Sequence, residues 1–464
     1  MITKDLASFI VSLKYEDIPQ DTREKVKLCF FDFLGVALRG SREKSSLIAH
    51  EVFSDMFSDN YQKSFKNRST IIGHGKGNFV MAGFLNGISA HCLDLDDGHR
   101  GAQLHPGCVV IPTALTLAEK YDKTGKQFLE AVVAGYEVAI ILGKIINPYH
   151  RNQGFHSTGT VGTVAAAAAA SKIIDLNLIK TTNALGLAGT QAAGLLESGH
   201  AGTMGKYLHA GRAVESGILS SLMAEKAFTG AHSILEGKEG FFNSMSCDLI
   251  HEKLLKNQIK SQLNKFHIND VYLKKYPVCR HIHSTIDSAQ GVLQKIHSES
   301  IKIDKIRKIM VKTYKIASEH DNYSPYTVES IRQSLPISLA IFLNQGELTL
   351  DNIERHCEDP VFKEEILKTA EKITIVMDKN LEELQPQKRP SSVSIKIMDG
   401  NNNKKTFEKL TFLPKGEPEN PFTQTEIFNK FYSINPDLIH MDFNVIDGID
   451  TCKIRRFMKT FLEN

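Results

Sequence analysis

AAAAAASKIIDLNLIKTTNALGLAGTQAAGL, residues 165–195, is the stretch on which the fold turns. It opens with six consecutive alanines, the strongest helix formers. It continues with Gly186, Ala188, Gly189, Ala192, Ala193 and Gly194 set among periodic leucines and isoleucines. A glycine inside a helix costs about 1 kcal/mol relative to alanine, so a run this rich in glycine needs compensation. Close approach between crossing helix backbones supplies it, and the stretch predicts a tightly packed helical core. Disorder is excluded because the apolar residues stay periodic throughout.

Working outward, Leu6, Phe9, Ile10 and Leu13 recur at helical spacing behind Thr3, read as the N-cap. A second helix opens at Asp21, buries Phe30, Phe31, Phe33 and Leu34, and stops at Gly40. A third starts near Asn78 and runs through Phe79, Met81, Phe84 and Leu85 towards His91 and Asp94. No strand-like alternation competes over the first 265 or so residues. The character changes near Asn269. Lys302–Tyr314 is rich in Ile and Val, Ile373–Asp378 reads as a short strand, and Ser391–Met398 alternates. A turn at Asp399-Gly400 would return the chain along Lys404–Phe412. Ser330–Leu343 and Asp359–Lys372 read as helices between these strands, and Thr423–Ser433 and Val445–Phe461 as helices after them. The expected fold is mainly α: residues 1–268 helical, residues 269–412 a smaller α+β unit, and residues 413–464 helices that return to the first part.

The 464 residues are 42% hydrophobic and 23% charged, the balance of a soluble globular chain of two or three domains. Lys+Arg 56 against Asp+Glu 53 leaves +3, which argues against nucleic acid or a membrane as partner. A local basic pocket for an anionic metabolite remains compatible with that balance. The seven cysteines never approach closer than sixteen positions and form no C-x-x-C, which argues against a zinc ribbon or an iron–sulfur cluster. Scattered thiols suit a reducing compartment. The N-terminus lacks the features of a signal peptide, and the most apolar stretch, Ala131–Leu142, contains Glu137 and is too short to span a bilayer. The expected location is cytoplasmic.

Chemistry concentrates in four places. AHCLDLDDGHRGAQLHPG, residues 90–107, gathers His91, Asp94, Asp96, Asp97, His99, Arg100 and His105. Helical continuation to Asp97 would put His91 and Asp94 on one face. A catalytic cluster, a metal site and helix capping are all open here, although D-L-D-D-G does not have the alternating acids of a calcium loop. GFHSTGTVG places His156 at a helix N-terminus, where backbone N–H groups attract anions; a structural histidine is the alternative. MGKYLHAGRAVESG puts Lys206 and Arg212 in an apolar helix, where a lysine is expected to snorkel to water before entering a polar cavity. LKKYPVCRHIHSTIDSA sets Lys274, Lys275, Arg280, His281 and His283 around Pro277 at the domain junction. Cations there could clamp a multiply charged anion as a cleft closes, or form a solvated loop. HDNYSPYTVES adds Tyr323 and Tyr326, equally compatible with core, surface or site.

Taken in order, these motifs resemble the MmgE/PrpD family of dehydratases, decarboxylases and epimerases. The anchors are H-x-L-D-L-D-D at 91–97 with His105-Pro106, GFHSTGT at 154–160, KYLHAGRA at 206–213, FTG and ILEG within 228–237, and KKYPVC at 274–279. The resemblance implies a large helical domain built from both chain ends, a smaller α+β lid, a homodimer, and chemistry on a small di- or tricarboxylate without metal or other cofactor. It implies Asp94, His105, His156, Lys206 and Lys274 as catalytic residues, with Tyr323 at the substrate; His99, Arg100 and Arg280 join as substrate-binding groups. One departure stands out: where dehydratase- and decarboxylase-like members carry Thr after the double Asp, this chain has Gly98, followed by His99-Arg100. The lost contact and the added cation point to a substrate other than methylcitrate or cis-aconitate.

Such chemistry leaves negative charge on a carbon beside a carboxylate, so fixed cations must sit where that charge develops. Lys206 and Lys274 fit, with Arg100 and Arg280 assisting. Asp94 and His156 would be the acid–base pair, and His105 would orient or protonate. Two other readings of the same residues are a metal-dependent hydrolase holding its ion with His91, Asp94, Asp97 and His99, and a non-catalytic helical dimer in which the cluster caps helices.

Overall fold

In the computed structural model, which describes residues 1–57, 68–246, 257, 259–263, 265–299, 305–398, 404–438 and 444–463, the alanine run forms the central helix Ser157–Ile173. Every residue of this helix is buried. Small side chains let the helices Gly125–Ile146 and Gly205–Glu225 close on it. At the tightest crossing a Cβ on Gly217 would lie 2.3 Å from the Ala166 Cβ, so only glycine fits. The glycine-rich half behaves differently. Its helix, Leu178–Gly189, stops at Gly189, and Ala192–Gly194 lie outside any helix.

Around this centre a single apolar core runs from Ile2 to Leu273 and resumes with Ile427, Phe431, Phe457 and Phe461. Aromatic rings join the chain ends: Phe30 lies 4.8 Å from Phe128 and 5.6 Å from Phe457, and Phe31 lies 4.8 Å from Phe431. The helices Gln424–Ile434 and Ile454–Glu463 therefore pack on the N-terminal part.

A second core spans Tyr276 to Phe407. Its four-stranded sheet has Ile306–Thr313 between Ile373–Met377, which runs parallel to it, and Ser391–Met398, which runs antiparallel; Lys404–Thr411 completes the edge. Helix Arg280–Ser298 covers the sheet through Ile282, Ile286, Ala289 and Leu293. Between the cores, Gly98–His99 pairs antiparallel with Val271–Tyr272, which ties the acidic loop to the segment entering the second core.

Several local expectations are corrected. Thr3 is inside helix Ile2–Ser12, and its hydroxyl donates to Glu236 Oε2 at 2.6 Å. The helix expected at Ser330–Leu343 is two, Val328–Ile331 and Leu335–Gln345, because Ser334 caps the second by accepting the Ile337 N–H. Val445–Phe461 is likewise interrupted, with helices Asn444–Asp447 and Ile454–Glu463. A short hairpin, Arg68–Ile71 with Gly75–Asn78, sits where no strand was expected, since so few residues show no usable alternation. The turn at Asp399-Gly400 and the first residues of Lys302–Tyr314 lie outside the described residues. Among the described residues no helix is long and apolar enough to cross a membrane.

Candidate active site

Helix Phe79–His91 ends at His91, so His91 and Asp94 do not share a helical face. Asp94 instead adopts φ +51, a left-handed conformation that Asp tolerates better than most residues. Its Oδ1 accepts from Lys206 Nζ at 2.9 Å and from Lys274 Nζ at 2.7 Å. Lys274 Nζ also donates to the Asp94 carbonyl at 2.8 Å, and Gln333 Nε2 donates to Asp94 Oδ2 at 3.0 Å. Lys206 thus reaches inward against the snorkelling expectation, while Arg212 on the same helix pairs at the surface with Glu215. Burial alone would raise the Asp94 pKa, but the two ammonium groups outweigh it and hold the carboxyl well below its ordinary range. Burial would equally lower Lys206, and Asp94 with Asp96 reverses that too.

The neighbouring carboxylates have other tasks. Asp96 Oδ2 lies 2.8 Å from His91 Nδ1. Asp97 accepts the Tyr136 hydroxyl at 2.6 Å and the Gly107 N–H at 2.9 Å, anchoring the start of helix Gly107–Lys120; burial pushes its pKa up to about 7. His105 Nδ1 donates to the Asp97 carbonyl at 2.6 Å. His156, at the N-cap of the central helix, stacks on His91 at 5.7 Å and has its Nδ1 3.0 Å from His209 Nδ1. Burial lowers His105 to about 3, and burial with His91 and Lys206 lowers His156 well below its ordinary value, so both imidazoles are neutral near pH 7.

A cavity of about 310 Å³ brings Asp94, His105, His156, Lys206 and Lys274 together. Arg100 and Arg280 also line it, but their charge is already answered. Arg280 donates to Glu417 Oε1 at 3.0 and 3.1 Å, and Arg100 holds Glu417 and Glu419 at 3.1 and 2.6 Å. The cation that Arg100 was expected to add is neutralised.

His99 and Tyr323 do not line the cavity. His99 is buried with its Nδ1 accepting the Ala102 N–H at 2.9 Å, and burial lowers it to about 3; Tyr323 is exposed and donates to the Ile373 carbonyl at 3.1 Å. Gly98 leaves room for the Tyr272 ring, since a Cβ there would lie 2.4 Å from the tyrosine oxygen. Tyr272 therefore occupies the space a threonine would need.

Gln333, Cys279, His320 and Arg389 also line the cavity, and sequence reasoning missed all four. Cys279 and His320 stand inside motifs singled out for their cations and tyrosines. Gln333 falls in the break between two helices, where spacing carries no signal. The four ligands of the hydrolase reading do not converge: Asp94 is held by lysines and Asp97 by Tyr136 and Gly107. Among the described residues the ligand-type atoms that do gather are those of His91, Asp96 and His105, within 4.8 Å of one another.

Two family models cover most of the chain: the MmgE/PrpD N-terminal domain matches residues 4–251 and the MmgE/PrpD C-terminal domain residues 276–442. The chain belongs to the MmgE/PrpD family. Similar MmgE/PrpD-type relatives include the cis-aconitate decarboxylase-like protein oryM of Aspergillus oryzae, 26% identical over 459 residues, with 94% of this chain and 91% of that protein covered. Cis-aconitate decarboxylase of Aspergillus terreus is 24% identical, with 93% and 89% covered, and that of Homo sapiens 24%, with 93% and 87%. Asp94, His105, His156 and Lys206 fall within the N-terminal MmgE/PrpD match, Cys279, His320 and Gln333 within the C-terminal one, and Lys274 between them.

Proposed function

We propose that this MmgE/PrpD protein is a lyase or isomerase that acts on a small di- or tricarboxylate through a carbanion stabilised by an adjacent carboxylate. One observation carries this: a buried carboxylate held between two ammonium groups faces the same cavity as two neutral imidazoles. Asp94, Lys206 and Lys274 together leave one positive charge, fixed in place before any substrate arrives. A preorganised cation of this kind acts where charge develops and needs no reorganisation during the reaction. Similarity to cis-aconitate decarboxylases supports the polycarboxylate class. The smaller core, residues 269–412, serves as the lid over the helical part, and the assembly is a homodimer, which sedimentation equilibrium reads.

The geometry moves acid–base work away from Asp94. A carboxylate held ionised and saturated with donors is a poor proton acceptor, so its task is to position the two lysines. His156 and His105 are neutral and suited to take or give the proton. With Nδ1 turned to His209, His156 offers Nε2 to the cavity. A carbanion made by loss of CO₂ and then protonated would give decarboxylation. One made by loss of a proton would give dehydration when hydroxide leaves, or epimerisation when a proton returns to the opposite face.

Citrate-like, aconitate-like and iminodiacid compounds followed by proton NMR in D₂O test the proposal. Deuterium entering a carbon beside a carboxylate, with activity retained after EDTA treatment, is the expected result. Absence of exchange and turnover with every compound would overturn it.

A further inference from the structure

On the wall contributed by the second core, the cavity carries a thiol and an imidazole that the chemistry above leaves unused. Cys279 occupies the N-cap of helix Arg280–Ser298, with its Sγ 3.6 Å from His320 Nε2. His320 Nδ1 lies 2.9 Å from the Gln333 carbonyl. A carbonyl can only accept, so Nδ1 carries the proton and Nε2 faces the sulfur as its base. The side chain of the same Gln333 donates to Asp94 Oδ2 at 3.0 Å. A single residue thereby joins the thiol–imidazole pair to the carboxylate that holds both lysines.

Arg389 is a second, independent sign of a ligand at this wall. It is 5% exposed and lines the cavity, and its Nη1 has no hydrogen-bond partner among the described residues, with Glu417 Oε1 4.0 Å away. A buried guanidinium nitrogen with a free donor is a seat for a substrate carboxylate.

We propose that Cys279 and His320 form a second proton-transfer pair, in which Sγ takes or gives the proton on the carbon beside the carboxylate that Arg389 holds. This inference rests on the polycarboxylate reading. In proton abstraction the thiolate becomes S–H, and the C–H electron pair stays on carbon and spreads into the carboxylate. In the return step S–H protonates that carbon and the thiolate is restored. After CO₂ loss the same S–H fills the vacated position, and the thiolate regains its proton from solvent through His320. No oxidant or reductant enters.

The groups facing the pair are Lys274 and Asp94 on the sulfur side, Arg151 on the imidazole side, and His281, whose ring stacks on His320 at 5.7 Å. Burial would raise the thiol pKa, but His320 outweighs it and brings it down to about 7; burial would lower His320, and the thiolate reverses that.

Iodoacetamide labelling of the intact protein, followed at Cys279 by peptide mass spectrometry across pH, tests the pair directly. Half-maximal labelling near pH 7 is expected, moving by at least about one unit towards the free-thiol value of about 8.5 in His320→Gln. Labelling of exposed Cys357 serves as the internal control and should not move. Cys279→Ala and Cys279→Ser should keep the thermal midpoint and lose about 100-fold in deuterium exchange. A Cys279 midpoint at or above about 8.5, or one unmoved in His320→Gln, overturns the pair. Exchange at the unsubstituted rate in Cys279→Ala or Cys279→Ser overturns its role alone. If the unsubstituted protein exchanges nothing, the polycarboxylate reading falls first and this role falls with it.

Discussion

Asp94 has a carboxyl group whose neighbours decide its task. With two ammonium groups on one oxygen and an amide on the other, it is locked as an anion. Asp94→Asn should therefore leave the buried Lys274 ammonium and the part-buried Lys206 ammonium without their counter-charge. It should destabilise the fold by roughly 3–5 kcal/mol in urea unfolding, besides abolishing deuterium exchange. Lys206→Met leaves Lys274 in place and should abolish exchange at a smaller stability loss. In the double variant the two effects should couple by more than about 1 kcal/mol. At Gly98 the obstacle is steric. Gly98→Thr drives a methyl and a hydroxyl into the Tyr272 ring and should lose about 1–3 kcal/mol, regained in part when Tyr272→Ala is added. The five catalytic candidates could be picked out in the sequence because they sit in dense motifs of charged groups and histidines. Arg100 and Arg280 could be located but not judged, since the partner that neutralises them, Glu417, lies 317 and 137 residues away and no local pattern reveals it.

At the scale of elements, the central helix owes its place to the smallness of its side chains. Gly217→Leu should wedge it from Gly205–Glu225 and lower stability by about 1–3 kcal/mol or more. Gly199→Ala, with nothing within 4 Å, should be neutral or gain a few tenths of a kcal/mol. Thermal denaturation of the two variants side by side checks the contrast. Periodicity revealed Gln20–Gly40 and Phe79–His91 because each buries a continuous apolar face behind a clear start or stop. It failed at Leu335–Gln345, where Ser334, directly after Arg332 and Gln333, starts a new helix, and at Gly98–His99, where two residues suffice for a strand pairing. Pairings that short depend on their tertiary partner.

For the molecule as a whole, burial sets the response to acid. His99 and His105 are held down to about 3 and His209 to about 4, with His150, His156, His281 and His283 lowered as well. Unfolded, each would titrate near about 6.5, so between about 6.5 and 4 the unfolded chain binds protons the folded chain refuses, and stability falls as pH falls. Asp32, Asp97, Glu119 and Glu137, raised by burial, give the opposite slope, but the histidines outnumber them. Below about pH 4, Asp94 and Glu417, whose folded values are lowered, add further loss as they protonate. Urea midpoints should therefore be lower at about pH 5 than at about pH 7.5; the reverse order would mean that the buried carboxyl groups dominate.

The shared packing of the two chain ends also governs how the protein is made. A ribosome releases the N-terminal half first, yet Phe30 and Phe31 meet Phe457 and Phe431 only when translation is nearly over. The stretch from Tyr276 to Phe407 closes on its own residues and is the first part to be finished. Until the final helices emerge, the nascent helical part presents greasy aromatic surface to the chaperones that guard newborn chains.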